Sequence, residues 1–121
     1  MKKSAKTDSI CARKAIHYLD DIKNAFEHFK INDYKDLEKT NLAHYAVTQL
    51  ITNLNSLKEN MQSSTITSMT SFNKINLKEA RNRASHAYNR IKFESIYNIC
   101  LELTKDEVYK ELREILKGEK K

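Results

Sequence analysis

The chain has 121 residues, which is one domain by size and allows a single modest hydrophobic core. It contains no proline and one glycine, so hairpin-rich folds and glycine-rich phosphate loops are disfavoured and a helical protein is expected. Lysine and arginine number 22 against 16 aspartate and glutamate, and this net charge of +6 favours acidic partners such as RNA or an acidic protein surface.

Apolar residues recurring three or four positions apart predict a first helix from about residue 8 to residue 29. Its apolar face consists of Ala15, Ile16, Leu19, Ile22, Phe26 and Phe29. The next segment, "KINDYKDLEKT", breaks the pattern and is predicted to be a loop with one helical turn. A second helix is predicted over about residues 41–61, with its stripe formed by Ala43, Val47, Leu50, Ile51, Leu54, Leu57 and Met61.

The segment 62–74 is rich in serine and threonine, which have poor helix propensity, and it is predicted to be a loop. Asn76 and Glu79 have the spacing of a capping box and predict a third helix from about Leu77. Thr104 and Glu107 repeat that spacing before a last helix. The remaining inward positions are Phe93, Ile96, Cys100 and Leu103, then Val108, Leu112, Ile115 and Leu116.

These elements predict an all-α fold, an antiparallel up-and-down bundle of four main helices plus a short C-terminal helix. Short connections favour antiparallel neighbours, and no composition shift marks a linker. We therefore expect one domain over residues 1–121, with basic, flexible ends at 1–7 and 118–121.

Metal, disulfide and membrane roles find no support in the sequence. Cys11 and Cys100 lie far apart without zinc-ligand spacing and are expected to be buried thiols of a reducing compartment. Surface or half-buried structural roles are expected for the three histidines His17, His28 and His44. No apolar run reaches the length of a signal peptide core or a membrane span, so we expect a cytoplasmic protein without metal or cofactor.

The stretch "EARNRASHAYNRI", residues 79–91, brings Arg81, His86 and Tyr88 together on one short predicted helix. On a straight helix, residues five apart point about 140° away from each other, so Arg81 and His86 are not stacked on one face. Two interpretations remain open. Either each residue has a separate structural role, which the spacing alone favours, or two copies of the helix line a shared cleft.

The string "RNRASHAY" and the following "NRIKFESIYNIC" resemble the motif region of the HEPN superfamily, and within it the HepT-like toxin ribonucleases. The motif positions of that family are occupied here by Arg81, Asn82, His86 and Tyr88. Residues 18–29 also resemble the family's first helix. The chain departs from the family at "ITNL", residues 51–54, at Lys92, where an acidic residue is common, and in the segment 62–74, which lacks the usual proline and tryptophan.

The resemblance implies a homodimer in which the motif helices face each other across a basic cleft that cleaves RNA without a metal. His86 would be the general base or acid, because histidine titrates near neutrality, and Arg81 would bind the scissile phosphate. Asn82 would be a supporting residue that positions His86 or the RNA backbone, and Arg83 and Arg90 would add phosphate contacts.

In the HepT-like group a minimal nucleotidyltransferase antitoxin attaches AMP to the motif tyrosine, which implies that Tyr88 is the modified residue. The resemblance thus implies a toxin–antitoxin pair, in which RNA is the toxin's substrate and the toxin homodimer can form a hetero-oligomer with the antitoxin. The alternative is a non-catalytic substrate-binding or regulatory subunit of a nucleotidyltransferase. A helical DNA- or RNA-binding regulator is disfavoured because no second basic helix has helix-turn-helix spacing.

Overall fold

The computed structural model describes residues 3–86 and 90–119, and within these ranges the chain is helical without a strand. This confirms the all-α prediction. The helices are α1 (Ala5–His28), α2 (Tyr34–Lys39), α3 (Asn41–Glu59), α4 (Ser63–Ser68), α5 (Thr70–Asn73), α6 (Leu77–His86), α7 (Arg90–Leu103) and α8 (Asp106–Glu119). None of them, over the ranges just given, is both long enough and apolar enough to cross a bilayer.

The core lies where α1 packs against α3 and α8, and where α6 packs against α3 and α7. The apolar stripes predicted from periodicity supply most of it, because one face of each amphipathic helix must leave water. Fully buried members of those stripes include Leu19, Ile22, Val47, Ile51, Leu54, Ile96, Leu103 and Leu112. Phe72, in the segment predicted to be a loop, is also fully buried.

Helix α1 begins at Ala5, three residues before the predicted start, because Ser4 caps it: the Ser4 hydroxyl accepts a hydrogen bond from the Thr7 N–H at 3.2 Å. At the other end Lys30 has a positive φ of 55°, and the Ile31 N–H donates to the Phe26 carbonyl at 2.8 Å. This is a Schellman-type helix end, in which lysine occupies the left-handed position that glycine usually fills. The chain has no glycine near this turn, so this helix end could not be predicted from the usual glycine signal.

The prediction of a loop at 62–74 is wrong, since the segment forms α4 and α5. The first reason is Asp8 of α1, a carboxylate that is 2% exposed. Asp8 accepts hydrogen bonds from the backbone N–H and the side-chain amide of Gln62, at 2.9 and 2.8 Å, and from the Thr65 hydroxyl. A carboxylate at a helix N-terminus satisfies unbonded N–H groups and interacts favourably with the helix dipole.

The second reason is Glu111 of α8, which does the same for α5. Its two carboxylate oxygens accept hydrogen bonds from the backbone N–H groups of Ser71 and Phe72, at 2.8 and 2.9 Å. These bonds stabilise a four-residue helix that would not persist alone, because short helices are unstable in water. Tertiary contacts therefore override the low helix propensity of the serine and threonine residues.

The C-terminal helix was predicted to be short, and this is wrong: α7 and α8 have 14 residues each. The capping role predicted for Thr104 is also wrong. Its hydroxyl donates to the Cys100 carbonyl at 2.8 Å, at the end of α7, and α8 begins at Asp106. Helix α8 is joined to α1 by Tyr109, whose hydroxyl donates to the Asp20 carboxylate at 2.9 Å.

Candidate functional site

The motif residues lie on α6 and at the start of α7. The backbone of Arg81, Asn82, Arg83 and His86 belongs to α6, and His86 is its last residue. Arg90 is the first residue of α7, and Tyr88 lies outside the described residues. Because α6 is continuous, regular helix geometry places the Cα atoms of Arg81 and His86 about 140° apart around its axis. The two residues are therefore not neighbours one turn apart on a single helix.

The start of α6 is fixed by Asn76, as the capping-box spacing predicted. The Asn76 side-chain oxygen accepts a hydrogen bond from the Glu79 N–H at 2.9 Å, and its amide donates to the Glu79 carboxylate at 3.3 Å. Leu77 and Ala80 of the same two turns are buried in the core. Asn82 is exposed. The helix thus buries its first turns against the bundle while Asn82 meets solvent.

Lys58 of α3 holds the turn that leads into α6. Its ammonium donates hydrogen bonds to the backbone carbonyls of Asn73 and Ile75, at 3.1 and 3.2 Å, and lies 5.7 Å from the centre of the Phe72 ring. Partial burial lowers the pKa of Lys58 from its usual value. Lys58 has no distinguishing signal in the sequence, because it follows the apolar position Leu57 and a lysine there is expected on the solvated side of the helix.

The first turns of α7 are anchored to α3 and to the turn after α1. The ring of Phe93 meets the ring of His44 edge-on, with centroids 5.1 Å apart. One turn later Tyr97 stacks on Phe26 at 5.8 Å and its hydroxyl donates to the Asn32 carbonyl at 2.7 Å. The motif therefore lies between two fixed points, the Asn76 cap on one side and the Phe93 and Tyr97 contacts on the other.

The three remaining histidines differ in their exposure. His17 and His28 are exposed, as a surface role requires. His44 was predicted to be at the surface or half-buried, and this is wrong, since it is 6% exposed and packs against Phe93. An apolar aromatic neighbour in α7, 49 residues away in the sequence, accounts for that burial, and local periodicity carries no information about it.

Both cysteines are buried free thiols. Burial raises the pKa of Cys100 and, together with the nearby Asp8 carboxylate, that of Cys11. Such thiols are poor nucleophiles and poor metal ligands at neutral pH. In the part of the chain that the structure describes, no three His, Cys, Asp or Glu side chains are grouped to hold a metal ion.

Comparison with known proteins adds no relative: no family model matches the chain, and no curated protein or solved structure matches it. The functional interpretation therefore depends on the motif residues, on their placement in the fold and on the charge of the surrounding surface. Two arginines and a histidine on one helix, with a third arginine at the start of the next helix, are residue types suited to binding and cleaving a phosphodiester.

Proposed function

We propose that the protein is a HEPN-type, HepT-like toxin, a metal-independent endoribonuclease in which Arg81 and His86 are the catalytic residues. The observation that carries the proposal is that Arg81, Asn82 and His86 lie on one continuous helix and that Arg90 begins the next helix. The motif spacing supports it, and so does the net charge of +6, which attracts a polyanion.

The residue types suit RNA cleavage by the neighbouring 2'-hydroxyl. A base removes the proton of the 2'-hydroxyl, its oxygen attacks the adjacent phosphorus, and the bond to the 5'-oxygen of the next nucleotide breaks. The leaving oxygen takes up a proton, and the products are a 2',3'-cyclic phosphate and a 5'-hydroxyl. His86 serves as general base or acid, and Arg81 stabilises the charge that develops on the phosphate oxygens. Asn82 positions His86 or the RNA backbone, and Arg83 and Arg90 bind further phosphates.

A homodimer would supply the pairing that one copy of α6 lacks. Two copies related by a two-fold axis would bring Arg81 and His86 of both chains to one cleft. An exposed apolar surface on α3 supports this part of the proposal: Leu42 is 74% exposed and Tyr45 is 69% exposed, three residues apart. His44, between them in sequence, packs against Phe93 of α7 just after the motif, on the buried side of the same helix.

Regulation by a minimal nucleotidyltransferase antitoxin is part of the same proposal. Transfer of AMP from ATP to the Tyr88 hydroxyl would form a phosphodiester and release pyrophosphate. The added group is bulky and negatively charged, and beside Arg81 and His86 it would exclude the RNA phosphate by charge and by volume. The protein carries out its function in the cytoplasm, where both RNA and ATP are present.

The proposal is tested by incubating purified, unmodified protein with varied RNAs in excess EDTA. Arg81→Ala and His86→Ala are compared with Arg13→Ala and His17→Ala, which remove an exposed arginine and an exposed histidine of α1. We expect the motif variants to lose about 100-fold or more in rate and the matched α1 variants to keep the wild-type rate. Mass spectrometry of each sample establishes that Tyr88 carries no AMP.

The alternative function gives a different result in the same experiment. A non-catalytic subunit of a nucleotidyltransferase would bind RNA or the partner enzyme. It would cleave no RNA, so the wild type and all four variants would be equally inactive. Folded, unmodified wild-type protein that leaves every RNA intact would therefore overturn the ribonuclease proposal in favour of the binding subunit.

A further inference from the structure

A basic cavity of about 530 Å³ lies beside the start of α6, between that helix, the C-terminal part of α3 and α4. Three lysines line it: Lys3, Lys58 and Lys78. Among the described residues that line it, Glu59 is the one acidic side chain. Among these described lining residues, three positive charges against one negative charge give an excess of two positive charges.

These charges are held in place differently. Lys58 is fixed by its two carbonyl hydrogen bonds, and Glu59 accepts a hydrogen bond from the buried Asn55 amide at 3.0 Å. Lys3 and Lys78 are exposed, and within residues 3–86 and 90–119 neither forms an ion pair. The ammonium groups of Lys3 and Lys78 are therefore available to bind an anion, beside a third lysine, Lys58, whose position is fixed by its hydrogen bonds.

The cavity is close to the motif and distinct from it. Lys78 precedes Arg81 by three residues and His86 by eight on the same continuous helix. At a rise of about 1.5 Å per residue, the Cα atoms of Lys78 and His86 are separated by about 12 Å along the axis. A stacked strand advances about 3.4 Å per nucleotide, so three to four nucleotides span this length.

We propose that the cavity is a second phosphate-binding subsite for single-stranded RNA, three to four nucleotides from the scissile phosphate, with Lys3 and Lys78 as its phosphate contacts. The inference rests on the proposed ribonuclease function and extends it to the length of RNA that the protein binds. Lysine contacts to phosphate position the strand without reading its sequence, so the subsite adds affinity equally for different sequences.

The test measures the affinity of labelled single-stranded RNA of 12 nucleotides, at several salt concentrations, for protein carrying His86→Ala so that the RNA stays intact. Lys3→Gln with Lys78→Gln is compared with Lys14→Gln with Lys110→Gln, which removes the same charge from exposed positions outside the cavity. Each lost phosphate contact lowers the slope of log affinity against log salt by about 0.7 for a single strand. The cavity pair therefore lowers the slope by about 1.4. The loss of affinity that each lysine substitution causes is thus about 5-fold larger at 0.1 M salt than at 1 M salt.

The control pair keeps the slope of the parent protein that carries His86→Ala alone. A dinucleotide, which is too short to reach the cavity, binds the cavity pair and the control pair equally. Unchanged salt slopes in the cavity pair, with RNA still bound by the parent protein, overturn the subsite and leave the ribonuclease proposal standing. If the parent protein binds no RNA at all, the ribonuclease proposal fails and the subsite fails with it. Urea unfolding of every variant establishes that each one is folded.

Discussion

Replacing Asp8 with asparagine tests the reason for helix formation in the segment 62–74. Asp8 is buried, and its carboxylate accepts three hydrogen bonds from Gln62 and Thr65. The amide of asparagine has nearly the same shape, but one of its two polar atoms is a donor and would face the Gln62 side-chain donor now 2.8 Å from the carboxylate.

The expected cost is one charge-assisted hydrogen bond, which contributes about 1.5–3 kcal/mol at a buried site. Loss of the carboxylate also removes a desolvation cost, so we expect Asp8→Asn to lower the free energy of unfolding by about 2 kcal/mol. With an m-value of about 2 kcal/mol/M, the urea midpoint falls by about 1 M. Asp21→Asn is the matched control, because Asp21 is an exposed carboxylate of the same helix.

Urea unfolding followed by circular dichroism measures both variants against wild type. Asp21→Asn should stay within about 0.5 kcal/mol of wild type. Equal midpoints for Asp8→Asn and Asp21→Asn would refute the reasoning, since they would mean that the buried carboxylate does not stabilise α4.

Two further predictions are tested by the free energy of unfolding, and a third is tested by sedimentation equilibrium. Glu111→Ala removes the cap of α5 and should lower the free energy of urea unfolding by about 1–2 kcal/mol, whereas Glu114→Ala, at an exposed position of the same helix, should change it by a few tenths. Burial and the Asp20 hydrogen bond raise the pKa of Tyr109. The stability that its neutral form gives is therefore fully present below about pH 10, where the unfolded tyrosine is also neutral, and is lost progressively as the pH rises above 10. Between pH 9 and 11 the free energy of unfolding should fall by about 1.4 kcal/mol more in wild type than in Tyr109→Phe. Leu42→Asp should convert the proposed dimer to a monomer in sedimentation equilibrium, whereas Leu101→Asp, at an exposed leucine of α7, should leave it dimeric. A monomeric wild-type protein would contradict the proposal that two chains form one cleft.

Much of the core could be predicted from the sequence because it depends on local periodicity. Val47, Ile51 and Leu54 recur on one helical face and are buried together, and the Asn76 cap depends on a residue only three positions away. Such features are encoded within a few turns of the helix that they stabilise.

The features that could not be predicted depend on residues far apart in the chain. Helix α4 needs Asp8, which precedes Gln62 by 54 residues, and α5 needs Glu111, 40 residues after Ser71. Lys58 gave no signal of its hydrogen bonds to the carbonyls before α6, because a lysine on an amphipathic helix is usually solvated. The basic cavity combines residues from α3, α6 and the N-terminal end, so it too is a product of tertiary structure.

The motif is visible in the sequence because its residues are close together, and the structure adds the continuity of α6 and the two anchors beside it. Asn76 and Lys58 fix the helix start, and Phe93 fixes the start of the helix that follows. Contacts of this kind at the ends of two helices suit the proposed site, in which a phosphate must be held at a fixed distance from a proton-transferring group.

The most direct test of the central claim is the dependence of cleavage on the 2'-hydroxyl. Two RNAs are incubated with unmodified protein in excess EDTA. One is all-ribose, and the other has a single 2'-deoxyribose in the nucleotide on the 5' side of the mapped scissile phosphate, which is the nucleotide that carries the attacking hydroxyl. We predict that the all-ribose strand is cleaved to a 2',3'-cyclic phosphate and a 5'-hydroxyl, that the substituted strand stays intact at that point, and that His86→Ala cleaves neither. Equal cleavage of both strands, or cleavage that His86→Ala retains, would contradict the proposed mechanism.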